Sequence, residues 1–101
     1  MQCVTVVYAN KPDAKFDFDY YLTKHVPMVA SLFGTRIEVQ KGVASPLGGA
    51  VAFVCIARIW VNSADHFKAT MEKHGEKILS DVRNYTNIEP VVQVDEVVRE
   101  R

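Results

Sequence analysis

The sequence predicts an α+β fold: a ferredoxin-like βαββαβ sandwich, with two helices on one face of a four-stranded antiparallel sheet. Three observations lead there. Four segments rich in β-branched and aromatic residues alternate with two amphipathic segments in the order β-α-β-β-α-β. With right-handed crossovers, that order gives the spatial strand order 4-1-3-2. The two most apolar strands, the first and third, then become central, and the two more polar ones become edges. A chain of 101 residues holds one such domain, residues 1–101, with no room for a second core.

Cys3 to Ala9 (CVTVVYA) reads as the first strand, bounded by Asn10-Lys11-Pro12-Asp13. Both of its parities are apolar: Val4, Val6 and Tyr8 on one face, Cys3, Val7 and Ala9 on the other, with Thr5 between them. Asp17 is placed to N-cap a helix over about Phe18–Leu32, with Phe16 and Tyr21 as a hydrophobic staple. The apolar stripe of that helix is Phe18, Leu22, Val29 and Phe33, with Val26 alongside. Pro27 removes an N–H from its interior and should kink or break it near Thr23–Val26. Gly34 supplies the stop.

Arg36–Val43 alternates apolar with charged residues, as an edge strand does. The turn Ser45-Pro46-Leu47-Gly48-Gly49 is too long for a two-residue hairpin. Val51–Val61 is interrupted only by Arg58, and its Val, Ile, Phe and Trp content predicts a central strand buried on both faces. Ser63 caps the second helix, with Asp65 near its positive end. The stripe there is Phe67, Met71, Ile78 and Val82, with Gly75 as a weak point. Asn84–Glu89 reads as a loop, and Val91–Val98 as the other edge strand. The pattern Phe18-x3-Leu22-x-Lys24-His25 recurs as Phe67-x3-Met71-x-Lys73-His74, 49 residues later, as a pseudo-twofold βαβ repeat would produce.

Lys and Arg number 12 and Asp and Glu 12, so the formal net charge is zero and no nucleic-acid partner is expected. No stretch approaches ~18 uninterrupted apolar residues, so no membrane span is expected. The start lacks a basic region of the kind that opens a secretory leader. Two cysteines without such a leader point to free thiols and a cytoplasmic, reducing compartment. Hydrophobic residues make up 49% of the chain, and the excess falls on both faces of the two central strands. A sheet with one wet face should alternate. An apolar face of this size exceeds the few hundred Å2 a soluble monomer tolerates. The expected cover is a second copy, sheet against sheet, in a twofold homodimer. Burying ~800 Å2 per partner at ~25 cal/mol/Å2 supplies ~20 kcal/mol gross, before association costs. The alternative is a monomer with an unusually large core.

Three histidines are present: His25, His66 and His74. His66 and His74 lie ~12 Å apart along one helix and cannot share a metal ion. With no CxxC, no HExxH and no carboxylate cluster at ligand spacing, no metal site is expected. Tyr21 and His25, four residues apart, can touch and form an acid/base pair for proton transfer. The alternative is a packed helix–sheet seam in which both bond to backbone. Arg58, beside Trp60, is either a cation lining a pocket for an acidic or phenolic substrate or the ion-pair partner of Glu38. Cys3 and Cys55 read as buried structural thiols. Asp81, Asn84 and Tyr85 read as a helix-end hydrogen-bond network.

Val6-Val7-Tyr8, then Phe16-Asp17-x-Asp19-Tyr20-Tyr21-x3-His25-Val26-Pro27-Met28, resembles the EthD family. So do the Gly42 strand end, the long apolar third strand, and Asp81-x3-Tyr85-Thr86-Asn87-Ile88-x-Pro90-x2-Gln93. The family is named for a protein encoded with an ethyl tert-butyl ether degrading system. The resemblance implies a dimeric α+β barrel with a small-molecule pocket in each subunit. Similar barrels include cofactor-independent monooxygenases, polyketide cyclases, decarboxylases, isomerases and haem-degrading enzymes, so the fold alone does not choose the chemistry.

By position, the resemblance implies Tyr21, His25 and Pro27 in the helix motif, and Asp81, Tyr85 and Gln93 in the C-terminal one. Tyr85 stands where the family has the aromatic of an F-T-like pair, which changes the polarity of the pocket. Asn10, Trp60 and His74 are the residue types that haem-degrading relatives use. The resulting expectation is a small-molecule-binding homodimer without cofactor, acting on an apolar or aromatic carbonyl compound. His25 and Tyr21 would carry the chemistry, and Tyr8, Arg58, Trp60, His74, Asp81, Tyr85 and Gln93 would line the site. The alternatives are a non-catalytic accessory or binding homodimer on the same scaffold, and a purely structural one whose histidines are satisfied core residues.

Overall fold

The computed structural model describes residues 2–100. Strand β1 (Gln2–Ala9) leads into a composite first helix, made of α1 (Phe18–Tyr20), a π-turn (Tyr21–His25) and α2 (Val26–Phe33). Strands β2 (Ile37–Lys41) and β3 (Phe53–Val61) follow, then helix α3 (Ala64–Ser80), a 3-10 turn (Val82–Asn84) and β4 (Val91–Glu96). The sheet order is β2-β3-β1-β4, with every neighbouring pair antiparallel. This is the predicted 4-1-3-2 order read from the other edge. In the single chain the sheet is open.

Register divides the two faces. Val4 pairs with Ile59, Val6 with Ala57 and Tyr8 with Cys55, and these side chains face the helices. Cys3 pairs with Trp60, Thr5 with Arg58 and Val7 with Ile56, on the outer face. The core has two lobes. One is mainly aliphatic, built on Val4, Val29, Ile59, Val61 and Ile78 with Phe33. The other is aromatic, built on Tyr8, Tyr21 and Tyr85 with Cys55 and Ile88.

The first helix starts as its sequence dictates. Asp17 Oδ1 accepts the Tyr20 N–H at 3.1 Å, and the Phe16 and Tyr21 rings meet at 5.0 Å. It ends at Gly34, whose φ of 67° is the left-handed value glycine tolerates. The break expected at Pro27 takes the form of one wide turn, in which the Val26 N–H bonds to the Tyr21 carbonyl five residues back. Such a turn holds one residue more than an α-turn and rotates everything before it. Tyr21 therefore takes the inward place that α-helical spacing assigns to Leu22. Tyr21, His25, Val29 and Phe33 are buried at four-residue intervals, while Leu22 is 48% exposed. This corrects the stripe read from the sequence.

Helix α3 has no such turn. Ser63 Oγ accepts the His66 N–H at 3.2 Å, and the helix runs unbroken through the buried Gly75. The two copies of the internal repeat are thus inequivalent: Met71 lines the interior, but its counterpart Leu22 does not. The edge strands are shorter than predicted, and Val43 and Val98 lie beyond them, 86% and 89% exposed.

Where β1 ends, Tyr8 pairs with Cys55 and Ala9 with Phe53, so Val54 is an extra, bulged residue. The Gly42 N–H bonds to the Val54 carbonyl at 2.9 Å, and a Cβ on Gly42 would stand 2.2 Å from the Phe53 oxygen. A side chain here must displace backbone. Gly42→Ala is expected to cost about 1–3 kcal/mol, read as a lower urea midpoint; an unchanged midpoint would show that the bulge gives way freely.

Candidate active site

The two lobes do not close on each other completely. Between the first helix, α3 and the inner sheet face lies a cavity of about 70 Å3, room for several water-sized groups. Its floor is Val6, Ala57, Ile59 and Val92. Its roof is Val26, Val29 and Phe33 on one side and Phe67, Met71 and Ile78 on the other. Polar atoms enter at one end only, from Tyr8, Tyr21, His25 and Tyr85.

These polar groups form a line. Asp81 Oδ2 lies 2.9 Å from His25 Nδ1, His25 Nε2 lies 3.4 Å from the Tyr85 hydroxyl, and that hydroxyl lies 2.7 Å from the Tyr8 hydroxyl. Asp81 is held from its other side, where Oδ1 accepts the Tyr20 hydroxyl at 2.7 Å and Asn84 Nδ2 at 2.9 Å. Local sequence explains the convergence. The π-turn aims Tyr21 and His25 inward, and the 3-10 turn after α3 presents Asp81, Asn84 and Tyr85 to them. The isolated bridge between Phe16 and Thr86 ties the two segments together.

Electrostatics sets the proton positions. Burial opposes the charge on Asp81, but hydrogen bonds from Tyr20, Asn84 and His25 outweigh it and hold its pKa below the usual carboxylate value. Burial likewise lowers the pKa of His25, and Asp81 only partly offsets this. At neutral pH the pair is therefore an ionised carboxylate and a neutral imidazole. Its Nδ1–H donates to Asp81, and its Nε2 is unprotonated and faces Tyr85 at the polar end of the cavity. Burial pushes the phenol of Tyr8 up to about 12 and raises those of Tyr85 and Tyr21 as well, so all three remain donors.

The hydrogen-bond partner of His25 inside the cavity is Tyr85. Tyr21, expected to pair with it, stacks flat against the ring at 5.5 Å and 16° between planes, with its hydroxyl beside Tyr8 and Cys55. Tyr8, Tyr21, His25 and Tyr85 are the sequence candidates that line the cavity, with Asp81 directly behind His25.

The remaining candidates lie elsewhere. Arg58, Trp60 and Gln93 are on the outer sheet face by register, so none of them shapes the cavity of this chain. Arg58 bonds to Gln40 at 2.5 Å and lies 3.9 Å from Glu38, the ion-pair alternative. Gln93 donates to Asp95 at 2.7 Å. His74 is half-buried on α3 outside the cavity lining. Asn10 and Trp60 stand at opposite ends of the β1–β3 ladder, so they do not converge with His74. Among the described residues, no three His, Cys, Asp or Glu side chains gather as a metal ion requires. No described helix is long and apolar enough to cross a membrane.

Residues 12–89 match the family model of the EthD domain, which spans both halves of the polar line from Tyr20 to Tyr85. The chain belongs to the EthD family. Tyr8 and Gln93 fall outside the matched span. Among solved structures, this EthD chain is similar to an EthD-like protein from Ralstonia eutropha JMP134, with 42% identity over 99% of this chain and 94% of that one and a TM-score of 0.91. An EthD family protein from Bacillus halodurans C-125 shares the fold at 18% identity and a TM-score of 0.67, over 95% of this chain and 97% of that one. HapK from Hahella chejuensis shares it at 12% identity and a TM-score of 0.61, over 100% of this chain and 97% of that one. Comparison with curated proteins finds no match.

Proposed function

We propose that this EthD-family protein binds a small apolar or aromatic carbonyl compound in the cavity and moves a proton on it without a cofactor. One observation carries the reading: the line Asp81–His25–Tyr85–Tyr8 surfaces at one end of an otherwise apolar cavity. His25 Nε2 takes the proton from the carbon beside the carbonyl, and the C–H electron pair moves into the enolate. Tyr85 or Tyr8 donates a hydrogen bond to the oxygen as its charge develops. Asp81 stabilises the imidazolium that forms. The 3.4 Å separation of Nε2 from Tyr85 is long for a hydrogen bond, so a substrate displaces little in taking its place.

The test is deuterium exchange from D2O into a panel of aryl ketones, followed by proton NMR. His25→Gln is expected to slow it by ~10²–10⁴. Equal exchange in the variant would end the reading. Binding without exchange in the unaltered protein would favour a non-catalytic carrier, an alternative consistent with the polar line being internally hydrogen-bonded.

We propose also that two copies pack through the outer sheet face, where Val7, Ile56 and Trp60 remain partly exposed. Light scattering at micromolar concentration is expected to read twice the 11.4 kDa chain mass. A reading of one chain mass would sink the dimer. Cys3 and Cys55 are both free and buried, which supports placing the protein in the reducing cytoplasm.

A further inference from the structure

We infer that the ligand is an uncharged, elongated molecule with its oxygen function at one end, and that Ala57 sets how far its apolar body reaches. This rests on the cavity being the ligand site. No Asp, Glu, Lys or Arg lines the cavity. The carboxylate of Asp81 stands directly behind His25 and repels a second anion. A carboxylate ligand would be desolvated there with no cation to receive it. Arg58, which would have been that cation, lies on the opposite face of β3.

Shape follows from register. The polar end is at Tyr8, and the far end at Ile59, the strand partner of Val4, under Phe33, Phe67 and Met71. Four residues of strand separate the two, about 13 Å at ~3.3 Å per residue. No nitrogen or oxygen side chain lines the far end, so a ligand polar at both ends would leave one unpaired. Midway lies the row Val39–Ala57–Val6–Val92. Ala57 is its one small member, it is central in the sheet, and it forms the floor of the cavity. A larger side chain there fills the passage between the two ends.

The experiment uses three probes and NMR titration of the whole protein: acetophenone, 4-acetylbiphenyl and biphenyl-4-carboxylate. The unaltered protein is expected to bind 4-acetylbiphenyl at least about tenfold more tightly than the carboxylate, the cost of burying an unpaired charge. Ala57→Leu is expected to weaken 4-acetylbiphenyl by about tenfold or more while leaving acetophenone within about threefold, because filling the passage excludes only the longer body. If Ala57→Leu does not fold, Val92→Phe narrows the same row from its half-exposed edge and carries the same expectation. A carboxylate that binds as tightly as the ketone, equal losses for both ketones, or no ketone binding at all would each overturn the inference. The expected binding pattern without deuterium exchange would instead uphold the ligand class and overturn only the proton transfer.

Discussion

Asp81→Asn is expected to slow the proposed proton abstraction by ~10²–10⁴, with ligand affinity nearly unchanged, the scale seen when the carboxylate that orients a catalytic histidine is lost. The asparagine amide fills the same space between Tyr20, Asn84 and His25. It presents either an N–H or a carbonyl to Nδ1, so it no longer enforces the tautomer that leaves Nε2 unprotonated. It also removes the negative charge that stabilises the imidazolium. Burial lowers the His25 pKa from its ordinary 6.5, and Asp81 pulls it partly back. The variant's pKa must therefore fall further. NMR titration of the imidazole should give a midpoint below 6.5 in the unaltered protein and a lower one in Asp81→Asn. A variant midpoint at or above the original would show that Asp81 does not support the base.

The same shifts fix the acid side of the stability curve. Folded His25 resists protonation more than the unfolded chain does. As pH falls through 6.5 toward the folded pKa, the unfolded state binds the extra proton and stability declines. Above 6.5 this group contributes no slope. Asp81 has a folded pKa below its ordinary 3.8, so its contribution is complete above that value and is lost below it, as pH falls through the folded pKa. Urea midpoints between pH 7.5 and 5 should drop in the native protein. In Asp81→Asn the histidine drop should extend to lower pH, because the folded pKa lies lower.

Strand order and the division of each central strand into two faces were legible because they depend on period-two alternation and on which strands are most apolar. The helix cap at Asp17, the staple and the stop at Gly34 were legible because each is a local pattern. Pro27 marked the break, but spacing alone cannot tell a kink from a π-turn, and that difference exchanged Leu22 for Tyr21. The placement of Arg58 was within reach, since it shares the parity of Ile56 and Trp60 and opposes Thr5, away from Tyr8. The bonds from His25 to Asp81 and Tyr85 cross 56 and 60 residues. No periodicity carries a pairing of that range. Only the family resemblance set those residues beside the helix motif, and it did not specify which of them bonds to which.

Tyr21 and Tyr85 exchange roles relative to the pairing that helical spacing offers, and substitution separates them. Tyr21 is almost fully buried, with Phe16 at 5.0 Å and Tyr85 at 4.9 Å, and one face lies against His25. Tyr21→Ala should cost ~3–5 kcal/mol, as removal of a large buried aromatic does. Against a total of about 5–15 kcal/mol for a domain, this brings the protein close to unfolding. Tyr21→Phe keeps the ring and loses a hydroxyl that does not touch the imidazole nitrogens, so stability should change by only about 1 kcal/mol and exchange should persist. Tyr85→Phe also keeps its ring, but it removes the donor between His25 Nε2 and Tyr8. Exchange should then fall ~10²–10³-fold, as when an oxyanion donor is removed, with the fold intact. Urea midpoints and deuterium exchange on the two phenylalanine variants decide the matter. Loss of exchange in Tyr21→Phe with retention in Tyr85→Phe would return the catalytic partnership to the i,i+4 pair.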